Sequence, residues 1–146
     1  MPQAGAAGDY AEVKDSQANV ATYVSSTGEF VPQFGFCLDG TPYSVTTTST
    51  LPTSASFVEV GAIAAAIVLT IPAANAVTAG RVLVIADGNG SVSSSATVAV
   101  KTPAAGGKIG AVAANTNSTS AASYAFMNAA YESMRLISDG TNWLPF

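Results

Sequence analysis

The chain has 146 residues, with five Lys or Arg, nine Asp or Glu, no His and a formal net charge of −4. Only 10% of its residues are charged, against about 25% in typical globular domains, so much of the surface is expected to be covered by another chain or by a membrane. The absence of His removes Ser-His-Asp and Cys-His catalysis, and the scattered cations (Lys14, Arg81, Lys101, Lys108, Arg135) do not form the cluster that phosphate binding needs. Neither an enzyme nor a nucleic-acid-binding protein is expected.

Residues 1–55 differ from the rest and form either an N-terminal arm or the first strands of the following domain. Met1–Gly8 is small-residue chain without the basic and apolar regions of a secretory signal. Asp9–Asp15 concentrates charge, and the spacing of Asp9, Glu12 and Asp15 suits a helical face or a solvated patch. Short β-like pieces follow at Val20–Ser25, at the aromatic-rich Phe30–Leu38 and at the β-branched Tyr43–Thr50, punctuated by Gly28, Gly40, Pro42 and Pro52. Such a segment suits an arm laid along a neighbour through main-chain hydrogen bonds.

Residues 56–146 carry clearer β patterning. The uncharged stretch between Glu59 and Arg81 has the length of a membrane span, but Pro72, Asn75 and the lack of flanking anchors favour a connector over 62–66, a strand at Ile67–Ile71 and a loop from Pro72 to Gly80. Arg81–Asp87 is the strongest strand signal, followed by the turn Asp87-Gly-Asn-Gly90. Ala96–Lys101 alternates cleanly, with Val98 and Val100 on one face. Lys108–Ala114 is expected as a further strand, then a polar loop at Asn115–Ser120. Tyr124–Phe126 and Tyr131–Ser138 are expected strands, Met134 and Leu136 sharing one face of the second. A helix over Ala121–Leu136 is the rival reading, but the segment runs directly into Ser-Asp-Gly. Asp139-Gly140 reads as a hairpin turn, with a return strand at Thr141–Phe146.

No motif supplies a catalytic, cofactor or metal site. Cys37, the single cysteine, can form no intrachain disulfide and has no His to activate it, so it reads as a small apolar side chain. Asp87-Gly-Asn-Gly-Ser91 resembles the start of a calcium loop but lacks the later acidic ligands. Gly106-Gly107-Lys108 lacks the remainder of a P-loop. Asn117-Ser-Thr119 is a glycosylation sequon in form only, and no aromatic-flanked carboxylate pair recommends glycoside hydrolysis.

Tyr131-Glu-Ser-Met-Arg-Leu-Ile-Ser-Asp-Gly-Thr-Asn-Trp143, together with Leu69-Thr-Ile-Pro-Ala73 and Ala79-Gly-Arg-Val-Leu-Val-Ile-Ala-Asp87, resembles a module of tailed-bacteriophage virion proteins found in tail fibres and head decorations. The likeness covers roughly residues 60–146. It implies a mainly β fold, a compact sandwich or barrel-like domain that trimerises on the virion exterior after synthesis in the host cytoplasm. The implied function is that of a capsid decoration or cement protein bound to the major capsid protein. A receptor-binding tail-fibre or head-fibre module is the alternative, and a small membrane-associated protein using residues 60–80 a third. Small-residue strands bury little apolar area each, which gives trimerisation a physical motive. The aromatic candidates for interface contacts are Phe30, Phe34, Phe36, Tyr131, Trp143 and Phe146. Trp143 has a second possible role, filling the core of its own chain.

Overall fold

The computed structural model describes residues 42–117 and 125–146, together with the backbone of three earlier strands. The chain divides into two units, Met1–Asp39 and Gly40–Phe146, and is mainly β. In the first unit, β1 (Ala11–Lys14), β2 (Val20–Val24) and β3 (Phe30–Pro32) form an antiparallel sheet in that order. Glu12 therefore lies on a strand, paired with Tyr23, and not on the helical face its spacing suggested. Pro32 ends an edge strand, a position that tolerates proline.

The second unit begins with β4 (Tyr43–Val45), β5 (Ser49–Thr50), β6 (Phe57–Val60), β7 (Ile67–Thr70), β8 (Val82–Asp87) and β9 (Val98–Lys101). It ends with β10 (Phe126–Met127), β11 (Ser133–Ser138) and β12 (Trp143–Pro145). Two sheets result, a four-stranded one in the order β10-β9-β7-β5 and a five-stranded one in the order β12-β11-β8-β6-β4. Strands β4 to β9 alternate between the sheets, and each of β6 to β9 pairs in parallel with the strand two places before it. The chain thus winds through three stacked coils, each with one strand per sheet. Parallel neighbours need a long crossover, and here the crossover is the strand in the opposite sheet. The antiparallel strands β10 to β12 then close the C-terminal side. The architecture is a two-sheet sandwich; the barrel-like alternative does not apply, because the described strands do not join into one closed sheet.

Alternation explains how the sheets share a core. Val58 and Val60, Ile67 and Leu69, Leu83 and Ile85, Val98 and Val100, and Met134 and Leu136 all point inward and are buried. Each fully buried aliphatic side chain of this size contributes roughly 1.5–3 kcal/mol. The coils differ in length: one register step runs from Tyr43 to Val58 and the next from Val58 to Ile85. That is why apolar strands recur in the sequence without a strict repeat.

Several expectations need correction. Tyr43–Thr50 is not one strand: a bend at 46–48 separates β4 from β5 and sends them to different sheets. Residues 42–55 supply β4 and β5 to the second unit. Lys108–Ala114 is not a strand either. Gly110 at φ 54° reverses the chain, leaving only bridges from Ile109 to Val112 and to Trp143. The stretch 61–80 is connector, strand β7, a 3-10 turn at Ala74–Ala76 and loop. Among the described residues, no helix is long and apolar enough to cross a membrane. Of the rival helix over 121–136, residues 121–124 lie outside the described residues, and β10 and β11 occupy strand positions in the remainder.

The hexapeptide Ser138–Trp143 ties the fold together. The Asp139 carboxylate accepts the N–H groups of Thr141 (2.7 Å) and Asn142 (2.6 Å), which holds it below the usual carboxylate range. Gly140 sits at φ 88°, a region that costs other residues about 1–2 kcal/mol. The loop is therefore Asp139–Asn142, with Ser138 paired to Trp143, longer than the two-residue turn expected. The Ser138 hydroxyl donates to Ala74 O at 3.0 Å, and Asn142 Oδ1 accepts Lys108 N–H at 3.0 Å. Trp143 is 1% exposed and donates its indole N–H to Pro72 O at 2.9 Å. Beneath the loop, any Cβ on Gly107 would collide with the Thr141 carbonyl.

Candidate functional site

The outer face of the five-stranded sheet is the strongest candidate surface. Its register places Leu144, Ile137 and Val82 in one row across β12, β11 and β8. Arg135, Val84 and Phe57 form the next row, and Ser133, Ala86, Glu59 and Ser44 the third. The inward neighbours Trp143, Leu136 and Leu83 are buried, so the first row points outward. The face grades from apolar beside the hairpin to polar at the far end. Leu144 is 42% and Phe146 68% exposed, and Phe146 donates its N–H to Arg135 O, extending the edge of β12 beside the second row. Few charges interrupt this surface: Arg135 and Glu59 are its ionisable side chains.

The four-stranded sheet differs. Its outer rows are Thr50, Thr70 and Lys101, then Val68, Ala99 and Phe126. No large apolar residue described on it is as open to solvent as Leu144 or Phe146.

The structure separates the six aromatic candidates. Phe146 belongs to the apolar face. Trp143 is committed to the core of its own chain and is not available for an interface. Tyr131 is 72% exposed but stands elsewhere, in the loop before β11. Phe30 opens β3; its side chain, together with Phe34, Phe36 and Cys37, lies outside the described residues.

Tyr131 is positioned by a buried carboxylate. Asp87, at the end of β8, is 4% exposed. Its Oδ1 accepts Gly90 N–H (3.1 Å) and Ser91 N–H (3.2 Å), while Oδ2 accepts Val92 N–H (3.1 Å) and Tyr131 N–H (3.0 Å). Burial alone would push this carboxyl up, but the main-chain N–H groups of Tyr131, Val92 and Ser91 together hold it below its ordinary value. Tyr131 has φ 62°, a left-handed conformation that a non-glycine residue adopts only under constraint, and its ring lies against Gly90. The loop that resembled a calcium site thus turns its first carboxylate inward onto main-chain donors. Among the described residues, no group of three or more His, Cys, Asp or Glu is arranged to hold a metal ion.

Sequence reasoning missed β6, whose Phe57, Val58 and Val60 are good strand formers but whose run is interrupted by Glu59. It also did not foresee the apolar outer face, which exists only once β12, β11 and β8 are aligned. Comparison with family models, curated proteins and solved structures gives no match.

Proposed function

We propose that this protein is a virion structural component, a decoration or cement protein that associates as a trimer and binds the outer capsid shell. The observation that carries the reading is the apolar outer face ending in Leu144 and Phe146. A chain with so few charges keeps two large apolar groups in solvent at one edge, and contact with another chain would bury them. Burial there contributes about 25 cal/mol per Å² of apolar surface removed from water. The resemblance of the β7–β8 and β11–β12 segments to bacteriophage virion modules supports placing that contact on a virus particle.

A second reading, a fibre module that engages the host surface, is favoured by the three parallel coils, since stacked coils are a means of building shafts. The two readings separate in a binding assay with expanded, tail-free shells of the phage that encodes the protein. A decoration protein co-sediments with such shells saturably, and the double substitution of Leu144 and Phe146 by Ser, by loosening the trimer that binds, weakens that co-sedimentation. A fibre module binds host cells and leaves the shells bare.

A further inference from the structure

Arg81 opens a second site that the virion reading does not use. It precedes β8 and lines a surface cavity of 480 Å³ with Thr53, Val77, Thr78 and Gly80, within the range of about 300–1,000 Å³ typical of ligand pockets. One guanidinium nitrogen, Nη2, donates to Ser54 O at 2.6 Å. Nε is buried and finds no acceptor, which is unusual for a group whose donors are normally satisfied. Among the described residues no carboxylate pairs with Arg81, and the hydroxyls of Thr53 and Thr78 have no hydrogen-bond partner there.

We propose that this cavity binds a carboxylate-bearing ligand, held by the Arg81 guanidinium and the hydroxyls of Thr53 and Thr78. With Nε closed to solvent and Nη2 donating to Ser54 O, the outer guanidinium N–H groups that remain can donate to a carboxylate oxygen, and threonine hydroxyls supply further donors. A single cation balances a monoanion; a phosphate dianion would leave a negative charge uncompensated on a protein that already carries −4. The carboxylate can come from a small free acid or from a uronic acid unit of an acidic polysaccharide. The site stands on Arg81 and its cavity alone, so its failure leaves the shell-binding reading untouched.

The test is a titration of the full chain, followed by amide NMR shifts, with acetate, galacturonate, trigalacturonate and neutral galactose. Saturable shifts at Ala79 and Gly80 with galacturonate, with a Kd of order millimolar and no response to galactose, are the expected result. Affinity at least ten times lower in Arg81→Gln, and several-fold lower in Arg81→Lys, which keeps the charge but loses the guanidinium donors, completes the expectation. Thr78→Val provides a control at an exposed position away from the core and is expected to weaken binding without altering the melting temperature. Equal affinity for acetate and galacturonate supports a small free acid as the ligand, whereas tighter binding of trigalacturonate supports a polysaccharide. The proposal is overturned if no carboxylate gives a saturable shift, if galactose binds as well as galacturonate, or if folded Arg81→Gln and Thr78→Val both bind like the parent.

Discussion

Replacing Asp87 tests whether one inward-facing carboxylate organises the polar end of the five-stranded sheet. Asp87→Ala removes the acceptor of four main-chain N–H groups, those of Gly90, Ser91, Val92 and Tyr131. Ser91 N–H retains Asn89 Oδ1 at 3.1 Å, and water reaches the outer part of the loop, so three donors carry most of the loss. An orphaned donor costs about 1–3 kcal/mol, and the lower half of that range gives roughly 3–6 kcal/mol for the three donors. Asp87→Asn keeps one acceptor oxygen but turns an NH2 group toward the other pair of N–H groups, for an expected loss of roughly 2–3 kcal/mol. Urea denaturation at neutral pH measures both, as a shifted midpoint at unchanged slope. The loss also has a defined pH dependence. Because the folded-state pKa of Asp87 lies below its ordinary value of 3.8, the unfolded chain binds more protons in that window, and stability rises with pH there. The advantage of the parent over Asp87→Asn is complete above the unfolded value and disappears as pH falls through the folded one. Losses under about 1 kcal/mol for both variants, or a difference independent of pH down to the acid range, would refute the reasoning.

Other substitutions probe the rest of the account. Trp143→Ala is expected to cost about 3–5 kcal/mol, and Trp143→Phe less, mainly through the orphaned Pro72 carbonyl; thermal and urea denaturation report both. Gly107→Ala forces a Cβ into the Thr141 carbonyl and is expected to destabilise by more than about 2 kcal/mol, whereas Gly80→Ala, with nothing within 4 Å of the new methyl group, pays only for its φ of 87° and loses less. Leu144→Ser combined with Phe146→Ser is expected to change urea stability measured at monomeric concentrations by no more than about 0.5 kcal/mol while weakening self-association at least tenfold in sedimentation velocity, since each apolar group buried at an interface contributes roughly 1.5–3 kcal/mol.

Strand identity was legible where a run alternates or is uniformly apolar: β7, β8, β9 and β11 all lie within the segments their residues predict. The inward pairs Val98 with Val100 and Met134 with Leu136 follow from period-2 spacing alone. What the pattern does not encode is partnership. Tyr43–Thr50 is β-branched on both sides of its bend, so no residue type marks the point where the chain leaves one sheet for the other. The parallel coils depend on pairs such as Ile67 with Val98 and Val58 with Ile85, which are distant in sequence and differently spaced. The hexapeptide was recognised as a hairpin, but its four-residue loop is set by the Asp139 carboxylate, and its Trp became a core residue through the Pro72 carbonyl, across 71 positions. Asp87 was expected in a turn and lies in one, but its full set of partners was not legible. The missing later acidic ligands already favoured a turn over a cation loop, but the fourth donor, Tyr131 N–H, arrives from a remote loop that no local pattern announces.

The site was legible in part. Phe146 was marked by its type, and Leu144 became notable only when its row with Ile137 and Val82 was assembled. The cavity at Arg81 left no trace in the sequence, because its walls come from two separate loops.

The most direct test of the central proposal is imaging of the intact particle that carries this protein, with the chain traced or labelled at Phe146. The account predicts density in threefold clusters on the outer surface of the capsid shell, with the Leu144 and Phe146 edge buried in a contact. Density confined to the tail, or a shell surface bare of the protein, would contradict it.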